Sequence, residues 1–261
     1  MLKAIRSTFF ISSFFIVLTY IVTSASAQEK ALSINTKQSI ATEKIIDDIL
    51  LEIERLQAVQ DCRNLMGKYI YYHVAMRHKD YVELWSKRED SCLELCFNIY
   101  DAWESVRRCY VEAHGERSNP GMDEEMKGAM HLHDLDSEVV VVADDGKTAR
   151  GCWTSPGHET RGAGVTWCWG RYIVDFIKED GVWKIWHMRL FPYFNVPHED
   201  GWVKAATHER VGLGDADRPS SADHWLYKPT EIIPPNHPEP PLPYKTYDDI
   251  GLDFIDPKPK E

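Results

Sequence analysis

A chain of 261 residues can hold one large domain or two small ones, and 43% hydrophobic content supports a substantial core. With 41 acidic residues against 30 basic ones it carries −11 and has no basic cluster. That balance excludes nucleic acid and anionic membrane surfaces as natural partners and leaves a small, neutral or apolar ligand.

Lys3 and Arg6 precede an apolar run from Thr8 to Val22, and Ala25-Ser26-Ala27 has the small-residue pattern of a cleavage site. Residues 1–27 therefore read as a secretory signal peptide, too short for a spanning helix, which places the mature chain in the periplasm or outside the cell with no membrane partner. Residues 28–41 are polar and read as a flexible segment. From Thr42 the spacing turns helical: Ile45, Ile46, Ile49, Ile53, Leu56, Val59, Leu65 and Met66 recur at steps of three and four, with a break expected near Asp61. This helix runs to about Met76, and its final turns carry Tyr69, Tyr71, Tyr72 and His73.

A second helix is expected over 79–86, a short strand over 91–97 and a third helix over 101–113. A strand at Met130-His131-Leu132-His133 opens a meander that continues through 137–143 and 148–155, with a loop at 158–164. Two long runs rich in aromatic and β-branched residues then flank Glu179-Asp180-Gly181, the strongest hairpin signal in the chain. With Asp180-Gly181 as a two-residue turn, Tyr172 faces Arg189 and Val174 faces His187. One sheet face then carries Thr166, Cys168, Tyr172, Val174, Phe176, Ile185, His187, Arg189 and Phe191. The other carries Trp167, Trp169, Arg171, Ile173, Trp186, Met188 and Leu190, and this Trp-rich face is expected to bury itself in a homo-oligomer, a dimer or trimer. From Glu199 to Glu261 a tail rich in Pro and Tyr is expected to lie across the domain or a neighbouring subunit.

Export would place the six cysteines in an oxidising compartment. A hairpin centred near residue 160 sets Cys152 opposite Cys168, within reach of a disulfide. Cys62, Cys92, Cys96 and Cys109 offer further bridges, or all six are buried thiols.

The tyrosine-ending helix, the His strand and above all DFIKEDGVWKIWHMRL resemble the SnoaL-like branch of the nuclear transport factor 2-like superfamily, over about residues 53 to 197. The resemblance implies an α+β cone in residues 42–198: N-terminal helices packed on a strongly curved antiparallel sheet that encloses an apolar pocket. It also implies relatives that are dehydratases, isomerases, cyclases and lyases, many without a cofactor, and others that only bind. The family dehydratases use a helix Tyr, matched by Tyr72, followed five residues later by an Asp, where Arg77 stands here. Their His at the start of the meander is matched by His131 or His133, and an Arg on the last strand by Arg189. The usual Asp partner of that His has no counterpart in residues 148–155.

The chemistry expected is a cofactor-free elimination or isomerisation. A neutral His suits the base, because its ordinary pKa lies near operating pH, and a buried Tyr or an Arg can stabilise a developing oxyanion. His133 is assigned as base, Tyr72 as acid or oxyanion donor, and Arg189 with His187 as orienting groups. Tyr69, His131, Tyr172, Cys168, Phe191 and Arg77 are assigned to the pocket wall. A second reading keeps the pocket and drops the chemistry, leaving a binding protein for a hydrophobic ligand. A metal held by His131, His133, His187 and His158 is not expected, for want of a carboxylate beside them.

Overall fold

The computed structural model describes residues 2–95, 97–114, 124–161, 164–204, 215–220, 226–232 and 238–249. Helix α1 spans Leu2–Val74, and the chain divides into two compact units within it, at Ile53 and Glu54. Residues 28–41, expected to be flexible, are helical, and no break occurs at Asp61. The reason is composition: residues 28–66 contain no Gly or Pro to interrupt the backbone ladder. The apolar period is thus a true helix signal, although Ile45, Ile46, Ile49, Ile53 and Leu56 are exposed. Among the side chains described, burial starts at Ala58 and continues through Cys62, Met66 and Tyr69. Met76, with φ 53°, ends the helix in the left-handed region. Among the described residues no helix is long and apolar enough to cross a membrane.

The second unit, from Glu54 onward, carries a short helix α2 (His78–Val82), strands β1 (Cys92–Leu95) and β2 (Asn98–Asp101), and helix α3 (Ala102–Tyr110). Strands β3 (Met130–His133), β4 (Asp136–Val142), β5 (Thr148–Arg161), β6 (Gly164–Glu179) and β7 (Val182–Pro197) follow, then α4 (Gly201–Lys204) and β8 (Arg218–Pro219). The sheet runs β3-β5-β6-β7-β1-β2-β8 with β4 also on β5, and among the described strands only β1 and β7 pair in parallel. This is the expected α+β, nuclear transport factor 2-like architecture, helices on one face of a mostly antiparallel sheet. Its core joins Met66 and Tyr69 of α1 to Trp153, Tyr172, Val174 and Phe176 of the sheet.

The β6–β7 hairpin turns at Asp180 (φ 48°) and Gly181 (φ 81°), the two positive angles that a tight hairpin turn requires. The expected register holds from Glu179↔Val182 to Phe176↔Ile185 and then shifts: Asp175 faces His187 and Ile173 faces Arg189. One extra residue, Trp186, is inserted there, and a bulge exchanges the faces of every later residue on its strand. The helix-facing side therefore gains Met188 and Leu190, whereas His187, Arg189 and Phe191 turn to the opposite, outer side. A second shift near Tyr193 brings Phe194 opposite Trp169 on that outer side.

The Trp-rich face is correspondingly divided. Trp167 and Trp169 stay on the outer side, where Trp169 stacks on Phe194 and on Trp202 of α4. Part of the tail lies across the same side. Asp144 and Asp145 donate backbone N–H groups to the Tyr244 and Lys245 carbonyls, and the Tyr247 hydroxyl reaches Asp175 at 3.2 Å. Beneath it is a layer of buried charge: Arg150 and His187 on Asp175, and Arg189 on Glu94.

No disulfide joins Cys152 to Cys168. In the β5–β6 register Cys152 faces Ile173 while Cys168 faces Gly157, five positions apart and on opposite sides of the sheet. At about 3.3 Å per residue that is roughly 17 Å along the strand, beyond disulfide reach. Cys62, Cys92 and Cys109 are buried and form no disulfide among the described residues, and Cys96 lies outside them.

Candidate active site

Strand β5 sets the site. Expected to end at Ser155, it continues to Arg161 and trades one neighbour for another on the way: β4 pairs with its residues through Thr154, and β3 with Gly157 to Thr160. Pro156 sits at that switch, where the ladder on that side is interrupted, so its missing N–H breaks no regular pairing. The extension places His133 opposite Gly157 and His131 opposite Glu159, with Cys168 of β6 opposite Gly157 from the other side. Directly paired residues share a face. His131, His133, Glu159 and Cys168 therefore project together to the helix-facing side.

Glu159 supplies the carboxylate that the shorter strand lacked: His133 Nε2 lies 3.2 Å from its Oε1. Gly157 makes room between the neighbours. A Cβ at that position would stand 2.7 Å from His133 Nδ1 and 2.8 Å from Cys168 Sγ, distances no methyl group tolerates.

Helix α1 closes the cluster from above. Core positions 62, 66, 69 and 73 lie on one stripe of the helix, so Tyr69 and His73 point at the sheet. The His73 ring stacks on Tyr69 at 6.0 Å between centroids and lies 5.1 Å from the ring of His133. Tyr69 is buried, exchanges a hydrogen bond of 2.8 Å with the Tyr110 hydroxyl, and meets Tyr172 edge-on. His78 Nδ1 is 2.9 Å from the Tyr81 hydroxyl behind it.

Burial dominates the electrostatics. It pushes the phenols of Tyr69, Tyr81 and Tyr110 well above their usual range, so all three stay protonated. It pushes His73 down to about 3, helped by repulsion from His133 and His131 and opposed by Glu159. His73 is therefore neutral, and this has a measurable consequence. An unfolded His takes up its proton near pH ~6.5, whereas folded His73 does so only near 3. Stability from this group is whole above the unfolded value and is lost as pH falls towards the folded one. Urea midpoints at pH 7 and pH 5 should therefore differ less in His73→Leu than in the wild type.

Other candidates lie elsewhere. Tyr72 is half-buried beside the core with Arg77 over its ring at 4.6 Å, and Arg77 itself is exposed and paired with Asp80. His187, Arg189 and Phe191 are on the outer side, where His187 joins Asp175, Arg189 joins Glu94, and Phe191 packs with Cys152 and Ile173. His158 is also outside, against Trp167 at 4.3 Å. The four histidines weighed for a metal thus do not converge; His73 and Glu159 stand with His131 and His133 instead. Sequence reasoning passed over Glu159 because Pro156 and Gly157 resemble a strand end. The continuing Glu-Thr-Arg run was the signal against that reading.

The SnoaL-like domain family matches residues 54–189. Among solved structures, a scytalone dehydratase-like protein from Novosphingobium aromaticivorans is 12% identical over 64% of this chain and 99% of its own, with a TM-score of 0.45. A hexachlorocyclohexane dehydrochlorinase from Novosphingobium barchaimii is 11% identical over 56% of this chain and 93% of its own, at 0.43. A protein of nuclear transport factor 2-like, cystatin-like fold from N. aromaticivorans is 15% identical over 54% and 86%, at 0.39. No curated protein matches the chain. With the family pattern spanning half of its length and the fold in place, the chain belongs to the SnoaL-like domain family of the nuclear transport factor 2-like superfamily.

Proposed function

We propose that this protein is an exported lyase or isomerase that moves protons on a bulky apolar, hydroxylated aromatic or polycyclic small molecule, with no cofactor needed for the proton transfers. The observation that carries the reading is the His133–Glu159 pair on the helix-facing side of the sheet. Glu159 accepts the Nε2 proton and fixes the tautomer, which leaves the Nδ1 lone pair as the base. The buried Tyr69 hydroxyl, kept protonated and backed by Tyr110, is the donor for the departing or developing oxygen. The pair of an acceptor and a donor is what an elimination or an allylic shift requires. On the outer side Trp169 and Trp202, each 40% exposed, support association into dimers or trimers.

The test is native mass spectrometry of the protein purified from its own host, before and after mild denaturation. The expected result is release of an apolar hydroxylated or unsaturated molecule that fresh wild-type protein converts and His133→Ala does not. A molecule held one per chain and returned unchanged by the wild type would sink the catalytic reading and leave a carrier.

A further inference from the structure

We propose that His133, Glu159 and Cys168 form a seat for one divalent transition-metal ion of the zinc type. One donor atom from each of the three lies within 4.8 Å of the other two. The donors stand on β3, β5 and β6, which are hydrogen-bonded neighbours, so the backbone of a sheet fixes their spacing. A tetrahedral ion with bonds of ~2.0 Å to nitrogen and oxygen and ~2.3 Å to sulfur needs donors roughly 3.3–3.6 Å apart. Filling the seat requires the Glu159 and Cys168 side chains to rotate inward, with the strands kept in register by their pairing. Gly157 keeps the space between His133 and Cys168 free of any side chain.

The donor set is an imidazole, a carboxylate and a thiol. Three protein ligands with one open position are the pattern of catalytic zinc sites, and a thiolate selects against magnesium and calcium. An independent observation points to the same spot. His73 Nδ1 is buried without a hydrogen-bond partner among the described residues, on a ring 5.1 Å from that of His133. A buried polar atom left so is costly, and a ligand at the open position gives it a use.

Metal and proton compete for His133. Neutral imidazole has one lone pair, and once it is given to a metal no base remains. Occupancy of the seat therefore silences the proton transfer, a consequence that rests on the function proposed above, whereas the seat itself does not.

The experiment is titration of the full chain with Co2+, followed by Zn2+. One equivalent of Co2+ is expected to raise a thiolate-to-cobalt charge-transfer band, which Zn2+ then removes. Cys168→Ser should abolish the band, Glu159→Gln should weaken binding about 10-fold or more, and Cys152→Ser should leave both unchanged, with circular dichroism confirming that each variant is folded. Absence of the band at micromolar Co2+, or a band that survives Cys168→Ser, overturns the seat. Neither outcome touches the lyase reading, because no substrate is present. Conversely, a substrate turned over equally by His133→Ala would end that reading and leave the cobalt result standing.

Discussion

Replacing Asp175 with alanine is expected to destabilise the domain by about 3–5 kcal/mol, a large fraction of the roughly 5–15 kcal/mol of a typical domain. Asp175 is completely buried and accepts hydrogen bonds from Arg150 Nε at 2.5 Å and a second Arg150 nitrogen at 3.0 Å. His187 Nδ1 lies 3.1 Å away, and the Tyr247 hydroxyl donates from the tail at 3.2 Å. Burial alone would raise this carboxyl; the bond to His187 and the charge of Arg150 overcome it and hold the group down to about 2. Without Asp175, Arg150 is a cation left in the interior at 3% exposure, and that residual charge accounts for most of the loss. Asp175→Asn keeps an acceptor and should fall between the two. Because the folded pKa is depressed, the contribution is whole above pH ~4 and disappears as pH falls towards 2. Urea unfolding at pH 7 measures it, and a loss below about 1 kcal/mol for Asp175→Ala would mean that the tail and layer do not hold the charge as described.

How far the sequence speaks for itself is clearest along β7. The Asp180-Gly181 turn and the first four pairs of the hairpin follow from local chemistry, since few residues accept two successive positive φ angles. The bulge at Trp186 leaves no mark, because both faces of the hairpin are apolar and the hydrophobic pattern is equally satisfied on either side of the shift. That single inserted residue carried His187, Arg189 and Phe191 out of the expected pocket, and their partners Asp175 and Glu94 turned them into a structural charge layer. On α1 the helix is legible and its phase is less so. Tyr69, Tyr72 and His73 all lie within one turn, and only packing against the sheet distinguishes the stripe 62-66-69-73 from its edge. The family pattern survives both shifts because it resides in the turn, the strand order and the core period.

Replacing His133 with alanine is expected to reduce kcat/KM by about 10²–10⁴-fold on whatever substrate the protein releases, the range associated with loss of a positioned base. Glu159→Gln should cost less, since an amide still bonds Nε2 but permits the wrong tautomer. The contrast between two tyrosines sharpens the test. Tyr69→Phe removes the buried donor and breaks its bond to Tyr110, so it should slow turnover strongly; Tyr72→Phe removes a hydroxyl from a half-buried ring under Arg77 and should change the rate less than about twofold. Arg189→Ala should act through folding instead, because its guanidinium belongs to Glu94 on the far side of the sheet. If Tyr72→Phe proved the slower variant and Arg189→Ala lost turnover at unchanged stability, the reacting groups would be those named from the family pattern. The helix-facing cluster of His73, His133 and Glu159 would then be a buried polar network, with its neutral imidazole serving the fold.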